Sequence, residues 1–396
     1  MYLLNNCLTP QQQLLLALRY YANRSFLAVA GDFAGLSKST ASKTVRRVSK
    51  VLASKRSNYI KIPDTPEALA KAKQSFYNIA RFPRCIGAID CTHIKIVSPG
   101  GSHAELFRNR KQFFSLNVQT VSDADLKLCN IVCRWPRSAH DSYILTNSQL
   151  CRQFESGHFG NSLLVGDKGY PIKRYLMTPL NTTTTPAEEL YNESIIRTRN
   201  VMERSYRVWK RRFPSLAMGL RVHLDTAQAI TVGTAVLHNI ACSNNEAMPP
   251  ISPEQENAIN MVYVDNVETD PVNIRLPQNA INNVIRTYLI NNYFANLLKI
   301  RKILIYWIIS NLRHAADLAS QEKRPRKNWS DRIYGRRIPQ SPSRELATPP
   351  SEQNETLDAV PYLVATHVSG EFPALPILRC IWKDGDCMKD EGPKRI

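Results

Sequence analysis

The sequence predicts an α/β fold: a mixed sheet flanked by helices, preceded by a small helical unit and followed by a disordered tail. Three observations predict it. Short β-rich apolar runs cluster between Cys85 and Gly166, and the segments on either side carry apolar residues at helical spacing. Beyond Asn244 the chain turns polar and Pro-containing. Residues 321–358 hold Lys323-Arg-Pro-Arg-Lys327, Arg336-Arg337 and several Ser-Pro or Pro-Pro pairs, a composition that buries no core.

Residues 1–56 read as a helical unit. Thr9-Pro10 with Gln12 gives an N-cap, a first-turn proline and a capping-box partner, and Leu14, Leu15, Leu18 and Tyr21 follow as an apolar stripe. A second helix is expected from Ser25 to Ala34, stopped by Gly35. Ser37 caps a third, whose inner face is Ala41, Val45, Val48 and Leu52. Its other face carries Lys38, Ser39, Ser42, Lys43, Arg46, Arg47 and Lys50. Two helices around a tight glycine turn, the second basic on one side, fit a helix-turn-helix aimed at DNA. A helical bundle with a solvated basic face has the same periodicity.

Residues 57–84 are a connector with a helix from Pro66 to Ile79. Strands are expected at Cys85–Asp90, His93–Val97, Leu116–Ser122 and Lys127–Arg134. A helix from Asp141 to about Phe154 follows, then a strand at Leu163–Gly166. After a loop at 181–186, a helix runs from Ala187 to Arg212 and is ended by Pro214; a last buried helix spans Ala227 to Cys242. Strands first, then helix, strand and helix, is the order of a ribonuclease-H-like fold. Residues 85–243 therefore form the expected ribonuclease-H-like domain, 244–294 a polar extension, and 295–396 a basic, largely disordered tail.

A chain of 396 residues holds a sizeable core. Its net charge of +19 favours polyanions such as nucleic acid, or anionic membrane surfaces. Nine cysteines without a Cys-x-x-Cys pair argue for free thiols in a reducing compartment rather than zinc or a disulfide framework. The N-terminus lacks a signal-peptide pattern, and the apolar run Ile303 to Ile309 is too short to span a bilayer. The expectation is a soluble, intracellular protein. Among His93, His140, His223 and His238 no zinc-protease spacing occurs, and neither a Gly-x-x-x-x-Gly-Lys-Ser/Thr loop nor a Gly-x-Ser-x-Gly elbow is present.

Chemistry points to carboxylates. Two apolar runs end in an aspartate, at Asp90 and Asp167, and Glu203 lies inside a later helical pattern. Two acids at strand ends and one on a helix is how a ribonuclease-H-type nuclease gathers oxygen ligands for Mg²⁺ or Mn²⁺. Taken singly, Asp90 is a strand-end acid, Asp167 a turn acid, and Glu203 an ion-pair partner of Arg199 or Arg207. Asp141 is a fourth candidate that also fits a helix N-cap, and His140 beside it fits either a substrate contact or a surface histidine.

On these motifs the chain resembles the Harbinger transposase-derived nucleases, within the PIF/Harbinger group of DDE transposases. The resemblance covers roughly residues 8–243. It runs through Gly87-Ala-Ile-Asp90-Cys-Thr-His93, Asn109-Arg-Lys111, Ser115-Leu-Asn-Val-Gln119, His140-Asp141-Ser142, Gly166-Asp167-Lys-Gly-Tyr170 and Met177-Thr-Pro-Leu180. Tyr191-Asn192, Glu203-Arg204, Arg212-Phe213 and Val236-Leu-His-Asn239 complete it. Gln112 and Arg137 stand where the family usually has glycine. The resemblance implies metal ligands at Asp90, Asp141, Asp167 and Glu203, a divalent cation, a ribonuclease-H-like core and an N-terminal helix-turn-helix. It also implies a nuclear location and a separate Myb-like DNA-binding partner.

The expected activity is metal-dependent cleavage of DNA, with Asp90, Asp167 and Glu203 catalytic. Arg197, Arg199, Lys210, Arg211 and Arg212 are further candidates for backbone contact, and Lys323–Lys327 is a candidate nuclear signal. The competing expectation is a domesticated nuclear DNA-binding protein that no longer cuts.

Overall fold

The computed structural model describes residues 8–23, 26–108, 112–267 and 280–322. Helix α1 (Pro10–Ala22) starts as its sequence dictates: Thr9 Oγ1 accepts from Gln12 N, and Gln12 Oε1 accepts from Thr9 N at 2.9 Å. Helix α2 (Leu27–Phe33) leads through Gly35, at φ +63°, to α3 (Lys38–Ser54), capped by Ser37. As expected, α3 buries Ala41, Val45, Val48 and Leu52; it also buries Thr44 and Ser49. A short α4 (Arg56–Tyr59) and α5 (Pro66–Ala80) lead into the sheet.

Strand β1 (Cys85–Ile96) is one 12-residue strand where the sequence suggested two. Cys91 and Thr92, read as a break, stay paired with Gln119 and Val118 of β2 (Phe114–Ser122). β3 (Leu128–Pro136) follows. The single helix expected from Asp141 is two, α6 (Asp141–Thr146) and α7 (Gln149–Glu155), because Ser148 recaps the chain by accepting from Cys151 N at 3.1 Å. β4 (Leu163–Val165) precedes β5 (Leu176–Met177), a two-residue strand too short to leave a sequence period. Helix α8 (Pro186–Arg212) carries a Thr185/Glu188 capping box. Pro214 opens α9 (Pro214–Met218), and α10 (Leu224–Ser243) completes this region.

The sheet order is β3-β2-β1-β4-β5. β1 is antiparallel to β2 and parallel to β4; β2–β3 is antiparallel and β4–β5 parallel. One face packs on α8, α10 and the N-terminal helices, with Leu116, Val118 and Ile94 meeting Tyr206, Trp209 and Ile230 in one core. The other face packs on α6 and α7, where Ile89 and Val121 join Leu145, Leu150 and Phe154. The N-terminal helices share the first core: Gly233 of α10 comes so close to α3 that a Cβ there would meet Leu52 Cβ at 3.1 Å.

The expected polar extension contains α11 (Pro253–Val267), α12 (Ala280–Tyr288) and a π-helical turn, Leu289–Phe294. Leu289, Ile290 and Phe294 are buried, and Phe294 packs on Phe82 and Tyr191. The polar average of this stretch hides those three apolar anchors. Helix α13 (Ala295–Glu322) corrects the start of the expected disordered tail: its first turns are rich in Leu, Ile and Lys, which favour helix. Residues 323–396, including the candidate nuclear signal, lie outside the described residues, as does Asn109-Arg-Lys111. Among the described residues, 301–322 separate from the rest as a second unit. Among the described residues, no helix is long and apolar enough to cross a membrane. Among the described residues, Cys85, Cys91, Cys129, Cys133, Cys151 and Cys242 are free thiols.

Candidate metal centre

Asp90 sits mid-strand in β1, in the central position of the sheet, and its main-chain carbonyl is held against α8. Tyr206 Oη donates to Asp90 O at 2.8 Å and accepts from Thr120 Oγ1 at 2.9 Å. Asp167 follows β4, the parallel neighbour of β1. The turn that presents it needs small residues: a Cβ at Gly166 would stand 3.1–3.2 Å from Tyr170, Ile89 and Leu176, and one at Gly169 would stand 3.2 Å from Asp167 Oδ1. Asp141 is the first residue of α6. His140 takes the N-cap position there, and its side chain makes no capping bond, so the N-cap reading of Asp141 is corrected.

These three aspartates converge. One carboxylate oxygen from each of Asp90, Asp141 and Asp167 lies within 4.8 Å of the others, and all three side chains are half-buried. A hydrogen bond fixes Oδ1 of each: Cys91 N donates to Asp90 at 2.7 Å, Asn117 Nδ2 to Asp141 at 3.0 Å, and Gly169 N to Asp167 at 3.0 Å. Glu203 lies beside this trio rather than within it. Arg199, one helical turn earlier on α8, stands 3.6 Å from Glu203 Oε1 and 3.8 Å from Asp167 Oδ2. Its guanidinium spans the gap between the fourth acid and the other three.

The electrostatics suit a cation. Burial pushes the Asp90 carboxyl well above its ordinary range; the like charges of Asp167 and Asp141 push it further, against the pull of Arg199. Asp167 is raised by burial and by Asp141, with Arg199 and the backbone N–H groups of Gly169 and Tyr170 opposing. Three negative oxygens this close disfavour their own ionisation. A hard divalent cation relieves that repulsion, and carboxylate oxygens are its preferred donors. The residues present therefore fit a divalent metal.

The sequence signature of the DDE superfamily endonucleases matches residues 89–239, which contain all four acids. HARBI1 of Homo sapiens, a candidate nuclease by name, is 33% identical over 240 residues, 60% of this chain and 68% of that protein. The chain belongs to the Harbinger transposase-derived nuclease family. HARBI1 of Xenopus laevis is 28% identical over 281 residues, 68% of this chain and 79% of that protein. ALP1-like of Arabidopsis thaliana is 28% identical over 188 residues, 44% and 46% of the two chains. No solved structure matches the chain. Membership makes the protein a DDE-type, nuclease/transposase-like enzyme, and the endonuclease domain implies use of a divalent metal.

Family departures acquire a physical meaning. Gln112 adopts φ +65°, the left-handed region where glycine is least strained, so the family's usual glycine answers a backbone demand at that turn. Arg137 is not among the residues with positive φ, so the substitution there carries no such strain.

The basic candidates divide. Lys38, Ser39, Lys43, Arg46, Arg47 and Lys50 are exposed and Ser42 is half-buried; Arg46 and Lys50 lie 2.8 and 3.8 Å from Asp225 at the start of α10. On α8, Arg197 is exposed and pairs with Glu193. Lys210 is buried, with its Nζ donating to Thr92 Oγ1 at 2.7 Å, and burial lowers its pKa to about 7. Arg211 donates to Pro249 O and Arg212 to Glu246 O. Those three bind their own chain and are corrected as backbone contacts; helical spacing alone did not separate the two faces of α8.

Asn117 and Gln119 bond to Asp141 and were not among the predicted site residues. A signal for them exists in the sequence. Ser115, Asn117 and Gln119 alternate with Leu116 and Val118, a polar row on one face of a strand that is otherwise core.

Proposed function

We propose that the protein cleaves DNA phosphodiester bonds at a site formed by Asp90, Asp141, Asp167 and Glu203, using Mg²⁺ or Mn²⁺. The observation that carries this reading is the convergence of three aspartates from β1, α6 and the turn after β4 onto one point. Strand order β3-β2-β1-β4-β5, with Asp90 on the central strand, supports a ribonuclease-H-like core. Two bound ions would supply an activated attacking hydroxyl and stabilisation of the leaving oxygen in an in-line displacement, for hydrolysis or for strand transfer from a 3′-hydroxyl.

The chain's own residues prepare that chemistry. Asp90, Asp141 and Asp167 supply negative oxygens fixed by hydrogen bonds through Oδ1. Tyr206 and Thr120 tie the Asp90 backbone to α8, so that strand and helix hold one register. Arg199 balances Asp167 and Glu203 and would release Glu203 to join the site.

The helices α2 and α3 around Gly35 support a helix-turn-helix that meets DNA through Lys38, Ser39, Ser42, Lys43, Arg46, Arg47 and Lys50. A nuclear location and a Myb-like partner complete the reading. The test is nicking of supercoiled plasmid with Mg²⁺ or Mn²⁺. Wild type is expected to nick, whereas Asp90→Asn, Asp167→Asn and Glu203→Gln lose nearly all activity. Equal activity in all four proteins refutes the site.

A further inference from the structure

We propose that Asn117 and Gln119 are positioning residues that lock the three aspartate-bearing segments into register and aim the Asp141 carboxylate at the metal position. The proposal rests on the metal-centre reading above. It begins from the strand motif Ser115-Leu-Asn-Val-Gln119, whose polar row faces α6 from a strand buried at every position after Phe114.

Asn117 Nδ2 donates twice, to Asp141 Oδ1 at 3.0 Å and to Ala139 O at 2.9 Å. It thereby fixes both the carboxylate and the chain leading into α6. Gln119 Nε2 donates to Asp141 O at 3.1 Å and to Tyr170 Oη at 3.0 Å, with Cys91 Sγ at 3.8 Å. Tyr170 Oη and Cys91 Sγ are themselves 3.4 Å apart. Cys91 adjoins Asp90, and Tyr170 lies in the turn that presents Asp167. One carboxamide therefore touches all three segments that carry the acids.

The direction of each amide is informative. Asn117 Oδ1 and Gln119 Oε1 are buried and have no hydrogen-bond partner among the described residues. Turning either amide over would set its oxygen against the oxygens of Asp141. Burying two amides with half their polar atoms unpaired is costly, and an apolar pair would fill the space without that cost. The nitrogen atoms face Asp141, which stands at the start of a six-residue helix with no side-chain cap, so the strand side rather than a helix cap orients it. Groups that orient metal ligands in this manner typically change metal affinity by about 10–100-fold when removed.

The experiment compares wild type, Asp90→Asn, Asn117→Leu and Gln119→Met, both last substitutions preserving size while removing the donors. Mn²⁺ affinity is read by calorimetry without DNA. Amide hydrogen exchange over residues 139–144 and the melting temperature are read without metal. The expected result is about 10-fold or greater weakening of Mn²⁺ binding in both amide variants, with faster exchange at 139–144 and a melting temperature near wild type. Wild-type affinity and exchange in both variants overturn the proposal, as does loss of folding in both, which would assign the amides to the fold. Loss of Mn²⁺ binding in Asp90→Asn checks the metal-centre reading separately. If wild type binds no Mn²⁺, the aiming role falls, and the exchange measurement alone decides whether the amides hold the segment.

Discussion

Asp90 is the residue on which the account turns, and its chemistry is measurable without substrate. Its carboxyl is raised above its ordinary value of 3.8 by burial and by two neighbouring aspartates. The native state therefore binds a proton more tightly than the unfolded chain. The resulting stability is present in full below pH 3.8 and is lost as pH climbs through the raised native value. Asparagine keeps the acceptor for Cys91 N and removes the charge. Metal-free Asp90→Asn should melt roughly 2–4 °C above wild type at pH 7, the response to about 1 kcal/mol in a domain of this size, and the two should converge toward pH 4. A thermal scan across pH checks this. At this scale the sequence was legible where an acid ends an apolar run, as at Asp90 and Asp167. The Arg199–Glu203 pair was legible as an i,i+4 spacing, whereas the reach of Arg199 to Asp167 was not, because it depends on how α8 lies across the sheet.

Elements hold that residue in place, and β1 does so through close contact. A Cβ at Gly87 would stand 2.5 Å from Val121 Cγ1 and 3.1 Å from Leu164. Gly87→Ala therefore forces β1 from its neighbours and should cost about 1–3 kcal/mol in denaturant unfolding, the usual penalty for overpacking. An unchanged unfolding midpoint would show that the strand can yield. Helix starts were readable because Thr9 with Gln12 and Ser37 with Thr40 use short-range side-chain bonds that the sequence states directly. Thr185 with Glu188 is the same device, and it places the start of α8 one residue ahead of the expected Ala187. Breaks and joins were less readable. β1 continues through Cys91-Thr92 because β2 pairs with it, and α6 stops at Thr146, two residues before Ser148 caps α7. β5 exists only because Leu164 and Val165 pair with Leu176 and Met177.

Across the molecule, one core joins the N-terminal helices to the catalytic sheet, while Tyr21 Oη and Ser49 Oγ bond at 2.7 Å within it. The proposed contact with DNA through the exposed face of α3 belongs to this scale. Lys43→Ala with Arg47→Ala should weaken DNA binding alike on all sequences and lower the salt slope by about 1 per charge removed, measured by fluorescence anisotropy against salt. An unchanged slope would move the DNA surface elsewhere. The exposed pairs of Arg46 and Lys50 with Asp225 contribute little stability, so both cations can turn to phosphate at small cost. The net charge of +19 favours such a partner, but charge alone does not say which surface would meet it. The measurement that bears most directly on the whole account is a calorimetric titration of the metal-free protein with Mn²⁺. Wild type should show saturable binding, and Asp90→Asn, Asp141→Asn and Asp167→Asn should each abolish or severely weaken it. Absence of binding in wild type, or unaltered binding in the three variants, would contradict a metal centre built from these aspartates.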